Sequence, residues 1–339
     1  MPLPLIPIIL GGIGAVTAAT GVGKGIKAAV DNSDAGHYNS IANSNISNAK
    51  EELEASRKAS SAALESLGGK KLYVLEKTIA SFITSFEKLK NVQLEESIGL
   101  EELNNFKLDK QSISELKEMG GYASSILGGT MSGALGGTLA GFGAYGAAMT
   151  FGAASTGTAI TALSGAAATN ATLAFLGGGS LAVGGLGIAG GAMVLGGLVA
   201  GPALAIMGFI VGAKASENLD NALSNYAESE KIAEELKTAA LLCNGIRRRS
   251  NMFERLLIRL ELLLIPLIFE IKAIITEKGD DWNNFCDENK KSVAAAAAIA
   301  KAIKTVIDTP ILTEDGKLTD KSAQIAGEIK PVINAYKNT

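Results

Sequence analysis

Between Glu118 and Lys214 the chain carries no Asp, Glu, Lys, Arg or His, a run of 95 residues in a protein of 339. Charged residues make up 19% of the sequence, so the gap is not an accident of composition. A soluble domain of that length needs solvated charges on its surface. A helix crossing hydrocarbon needs about 20 mostly apolar residues, so the block holds two long spans or up to about four short ones. Two explanations follow. Either the block meets lipid at some stage, or it is a small-residue helical core enclosed by protein.

The texture changes within the block. Residues 122–151 and 181–213 are apolar, and the stretch between them is richer in Thr, Ser and Asn. The pattern predicts two apolar helices joined by a less apolar connector. Gly129, Gly133, Gly137 and Gly141 recur every four residues and so line one helix face. Gly187/Gly191, Gly197/Gly201 and Gly208/Gly212 repeat the spacing. Such faces let two backbones approach closely in lipid, where packing drives association. In water each mid-helix Gly costs roughly 1 kcal/mol relative to Ala. These ten glycines are the candidate membrane-inserting and helix-packing residues.

Glycine also generates nucleotide-site look-alikes. Gly185, Gly187 and Gly190 fit G-x-G-x-x-G, as do Gly141, Gly143 and Gly146. A dinucleotide unit needs an acid about 20 positions on, and the first acid after Gly190 is Glu217. With 40 Gly in the chain the pattern is nearly unavoidable. Around Lys24 a phosphate-loop match fails, because Gly25 stands where Ser or Thr must hold magnesium.

Outside the block the chain is charged and helical in pattern. Leu72, Leu75, Ile79, Phe82, Phe86 and Leu89 alternate three and four apart, a coiled-coil seam. Gly68-Gly69 is expected to break residues 44–118 into two helices. After the block, 214–243 reads as one amphipathic helix, followed by 247–278 with a wide stripe at Leu256, Leu257, Leu260, Leu263, Leu264, Leu267 and Ile268. Pro266 is expected to kink it. The stripe reads as bundle core. Its alternative is an interfacial membrane helix with Arg247, Arg248 and Arg249 at lipid head groups. Residues 292–307 form an Ala-rich helix, Asp315-Gly316 a small hairpin or loop, and 321–336 a closing helix.

The N-terminus is a second apolar segment, with Pro2, Pro4 and Pro7 preventing a regular helix at the start. A helix is expected from Ile8 to Val22, continuing towards Val30. It has no positive n-region, so no cleavage is expected. It reads as an anchor or pore element, or as a tail against the Gly-rich block.

Composition closes other routes. The 7 Pro and the lack of a G-X-Y period exclude collagen, and 47% hydrophobic residues argue against disorder. A net charge of −3 disfavours nucleic acid as a partner. Two Cys (Cys243 and Cys286) and one His leave no disulfide framework and no Cys/His zinc site. A Ser–His nucleophile pair would have to use His37, expected in a surface loop. No spacing favours a carboxylate metal site. No catalytic residues, cofactor or metal are assigned, and the chain is not read as an enzyme.

The expected fold is all-α, an elongated helical bundle or coiled coil with a central Gly/Ala-rich apolar hairpin. Its parts are an apolar segment (1–30), a first bundle part (31–118), the hairpin (119–213) and a second bundle part (214–339). This layout resembles the α-helical pore-forming toxins of the haemolysin E type and the Bacillus three-component enterotoxins. Pore-forming colicins and apolipoprotein L share the apolar hairpin within a soluble bundle. Residues 152–182 also look like a block found in bacterial proteins of unassigned function. The resemblance lies in architecture over most of the chain. It implies a soluble form, cytoplasmic or exported without a cleaved signal, that inserts into a lipid bilayer, oligomerises and permeabilises it. Homo-oligomers and partner proteins of a multi-component system are the implied associates. The alternatives are a constitutive membrane scaffold or sensor with coiled-coil arms, and a soluble helical assembly.

Overall fold

Two long helices set the frame. In the computed structural model, which describes residues 24–94, 106, 108–128, 139, 142–144, 219–313 and 318–335, α1 runs over Lys24–Tyr73. It continues through one π-helical stretch, Val74–Ile79, into α2, Ala80–Phe86. After α3 (Lys110–Gly128) comes the longest element, α4 (Leu219–Lys278), then α5 (Asp287–Asp308) and α6 (Asp320–Ala335). The described residues are helical apart from turns, a short 3-10 turn and two isolated bridges, Lys90 with Asp281 and Leu312 with Leu318. The fold is all-α. Among the described residues, no helix is long and apolar enough to cross a membrane.

Side-chain hydrogen bonds fix the direction of the two long helices. Asn225 donates to Asn39, Asn244 to Ser56, Ser66 to Glu254, Thr78 to Glu261, Lys272 to Ser81 and Asn91 to Asp281. Both sets of numbers rise together, so α1–α2 and α4 run parallel. Their C-terminal ends are clasped: the Lys90 amide donates to Asp280 O at 2.7 Å and the Trp282 amide to Lys90 O at 3.1 Å. Gly279, at φ 86°, ends α4 in a left-handed conformation that suits glycine. Their N-terminal ends, Lys24 and Leu219, therefore lie at the other end of the pair.

The core is unevenly spread along this frame. At the clasped end α3, α5, α6, α2 and the lower halves of the long helices share one cluster, which includes every residue of the Leu72–Leu89 seam. The stripe on α4 faces it, with Leu256, Leu257, Leu260, Leu264 and Ile268 buried and Leu263 and Leu267 packed at its margin. That stripe is bundle core. α5 buries residues all round, Val293 to Ala300 without interruption, as a helix in the middle of a core must. Asp109 caps α3, its carboxylate accepting the Ser112 amide at 2.6 Å, and the Thr319 hydroxyl caps α6 from the Ser322 amide at 3.1 Å. Towards Lys24 and Leu219 a smaller cluster joins the pair, Ile46, Ala49 and Leu53 against Ile232, Ala233, Leu236, Ala240 and Cys243.

Three expectations are corrected. Gly68-Gly69 does not break α1, and the two helices expected over 214–243 and 247–278 are one, α4 running unbroken through Asn244 and Gly245. Helix propensity is a weak preference beside packing: Asn244 is tied to Ser56 across the pair, and a Cβ on Gly245 would meet Leu318 at 3.2 Å. His37 lies on α1 rather than in a loop, exposed, with its ring 6.1 Å from Tyr38. Cys243 and Cys286 are free thiols, the first buried and the second exposed.

The two faces of α4 make the core assignment testable. Phe253 is fully buried, whereas Leu262 is 66% exposed. Phe253→Ala is expected to cost about 3–5 kcal/mol in chemical denaturation, and Leu262→Ala less than about 0.5 kcal/mol. Equal costs would mean that the two faces are misassigned.

Candidate functional site

The uncharged block meets the body where glycine removes side chains from both partners. Gly68 on α1 and Gly143 in the block sit at a backbone crossing. A Cβ on Gly68 would stand 1.9 Å from the Leu139 carbonyl oxygen, and one on Gly143 would stand 2.2 Å from that of Leu64. Neither distance is physically possible for an alanine, so both positions require glycine. Phe142 and Ala144 are buried on either side of the crossing. The Ala144 carbonyl then accepts the amides of Ile311 and Leu312, at 2.7 and 3.2 Å, from the segment after α5. Gly143 is the middle glycine of one G-x-G-x-x-G match, and its role is helix packing.

Beneath this crossing lies a buried amine. Lys71 is fully enclosed. Its Nζ donates to the carbonyls of Phe142 and Gly143, both at 3.2 Å, and lies 5.6 Å from the centre of the Phe142 ring. Burial pushes its pKa down to about 7, against the pull of the Asp308 carboxylate. The amine binds the block through backbone oxygens, which any sequence would offer. The choice of residue is made by the glycines that let those oxygens come near.

An ionic cluster sits between α3 and α5. Lys304 bonds Glu115 at 2.7 Å and also Asp308, while Lys301 bonds Ser112. Burial pulls the Lys304 ammonium down, and the two carboxylates more than offset it, so its pKa is raised. Hydrogen bonds from Lys304 and Gln111 hold the Glu115 carboxyl below its ordinary value. Asp308 thus faces two lysines, Lys304 directly and Lys71 at longer range. Among the described residues no group of three His, Cys, Asp or Glu side chains is placed to hold a metal ion.

The glycines singled out from the sequence, Gly129, Gly133, Gly137, Gly141, Gly187, Gly191, Gly197, Gly201, Gly208 and Gly212, lie outside the described residues. Arg247, Arg248 and Arg249 follow one another on α4, the first two exposed and the third half-buried. Burial lowers the Arg249 pKa. Sequence reasoning missed Lys71 and the pairing of Gly68 with Gly143. Lys71 carried a signal: it lies four residues from both Leu67 and Leu75, on the buried stripe of α1. Comparison with known proteins finds no counterpart: no family model, no curated protein and no solved structure matches the chain.

Neighbouring glycines give opposite expectations. Gly68→Ala drives a methyl into backbone and is expected to destabilise by about 1–3 kcal/mol. Gly69→Ala meets nothing within 4 Å and should stabilise by up to about 1 kcal/mol through helix propensity. Melting curves of the two variants compare them directly, and the same sign for both would refute the crossing.

Lys71 makes stability depend on pH. The folded chain releases its proton near pH 7 and the unfolded chain near 10.5. A depressed lysine pKa gives stability that is full above the unfolded value and is lost as pH falls towards the folded one. Unfolding free energy should therefore carry a rising contribution of up to about 1.4 kcal/mol per pH unit between pH 7 and 10. Lys71→Met should lack it. Urea titrations of both proteins across that range test this, and parallel pH profiles would show that Lys71 does not titrate there.

Proposed function

We propose that the chain is a membrane-inserting helical protein that oligomerises and permeabilises a lipid bilayer, as its resemblance to the α-helical pore-forming toxins implies. One observation carries the reading: α1 and α4 run parallel. Residues 1–23 lead into α1 at Lys24, and the uncharged block leads into α4 at Leu219. Chain connectivity therefore makes both apolar segments join their following helices at one end of the pair, opposite the clasp at Lys90 and Asp281. Two apolar segments entering one bilayer from one end is the arrangement an inserting protein needs. The foot of the block, at Leu139 and Phe142–Ala144, stays with the body through Gly68, Gly143 and Lys71.

Protein burial of Phe142 and Ala144 favours a second reading. On that reading the whole block is enclosed by protein and the chain is a soluble helical assembly. The two differ in what protein prepared without detergent does to liposomes. The first expects vesicle flotation and release of an encapsulated dye, reduced at least tenfold when residues 2–23 are deleted. Absence of both release and flotation, across lipid compositions and pH, would leave the soluble assembly standing.

A further inference from the structure

Away from the block, α4 and α6 enclose a groove of about 550 Å³ lined by four cations and no acid: Arg248, Arg255, Arg259 and Lys330. The three arginines are seven and four residues apart and so share one face of α4. None of the four makes a hydrogen bond or ion pair with a described residue. The acids nearest the three arginines in sequence are engaged elsewhere. Glu254 accepts from Ser66, and Glu261 is engaged by Lys70 and Thr78. Like charges one turn apart on a helix repel, and this chain, at −3 overall, does not lack acids with which to relieve them. The floor is apolar, with Met252, Leu256 and Ile333. Beside the groove the same helix exposes Ile258, Leu262, Ile265 and Phe269, the second and fourth by 66% each.

We infer that this groove binds a phosphate-bearing ligand with an apolar portion, its phosphate held by Arg248, Arg255, Arg259 and Lys330. Guanidinium forks match phosphate oxygens two at a time. Four unneutralised cations suit a group carrying more than one negative charge. An anionic phospholipid supplies both parts: its head group fills the groove, and the exposed leucine and phenylalanine enter the acyl boundary beside it. A soluble phosphorylated metabolite supplies the same anion without a membrane. The site is separate from the inserting end, because Arg248 lies about 44 Å along α4 from Leu219 at 1.5 Å per residue. It rests on the membrane reading only where a bilayer is the source.

Three proteins distinguish the outcomes: wild type, Arg255→Gln/Arg259→Gln, and Lys58→Gln/Lys237→Gln, which removes the same charge from exposed positions elsewhere. Each is tested for flotation with phosphatidylcholine vesicles, with and without phosphatidylglycerol, and for binding of inorganic pyrophosphate by calorimetry. The expected result is binding to anionic vesicles that is about 30-fold weaker in the groove variant, unchanged in the control, and competed by pyrophosphate. Leu262→Asn should then weaken vesicle binding alone. Pyrophosphate binding with the same variant pattern but no flotation upholds the groove and makes its ligand soluble. If neither probe binds, or both double variants lose binding equally, the groove is only a solvated basic face. Dye release with vesicle binding unaltered in the groove variant would overturn the groove and leave membrane insertion intact.

Discussion

Everything in this architecture follows from the parallel pairing of α1 and α4. Two helices that start at the same end cannot be joined by a tight loop. The chain must return the whole length of the first helix before the second begins. Residues 87–218 make that return, and they include α3, the foot of the uncharged block and the rest of the block. A hairpin of antiparallel helices would place the apolar N-terminal segment and the beginning of α4 at opposite ends. The parallel pair brings the starts of α1 and α4 to one end, and leaves the clasped end free to be a conventional core built from α2, α3, α5 and α6.

That division separates two kinds of packing. At the clasped end, Leu, Ile and Phe from five helices interdigitate around the alanine-rich α5, so the core is thick. Towards Lys24 and Leu219 the described contact between the long helices rests largely on Ala and a few Ile and Leu. It also leaves Arg57 with two buried nitrogens, Nε and Nη2, that lack partners there. Buried unpaired donors are costly. Local opening free energies track buried apolar contact, and among the described residues that contact is greatest at the clasp.

Helix content was legible in the sequence because apolar spacing reports burial directly: the seam from Leu72 to Leu89 and the stripe from Leu256 to Ile268 both face the core. Breaks were not legible. Gly68-Gly69 and Asn244-Gly245 are weak helix formers, but each is held by a neighbour that the local sequence does not name, Leu139 in one case and Ser56 and Leu318 in the other. The direction of the long helices was equally hidden, since periodicity says which face is buried and nothing about which way a partner runs. At the site, the block's lack of charge was plain, but its contact with the body rests on a glycine crossing and on one buried lysine in the facing helix. A lysine on an apolar stripe is a small departure from pattern, and it gains meaning only when the carbonyls above it are known.

The foot of the block is held by interactions of a particular kind. A lysine donating to two carbonyls, and two backbones in contact across glycines, depend on position and exclude water, and they sit beside the buried Phe142 and Ala144. Burying the amine costs desolvation that its hydrogen bonds only partly offset. Asp308 could relieve that cost by direct pairing, but its carboxylate is bonded by Lys304. A protein that had to keep the block enclosed permanently would gain by replacing Lys71 with Leu or Met. Lys71 instead offsets part of its desolvation cost on two backbone carbonyls of the block, which ties the contact to position rather than to sequence.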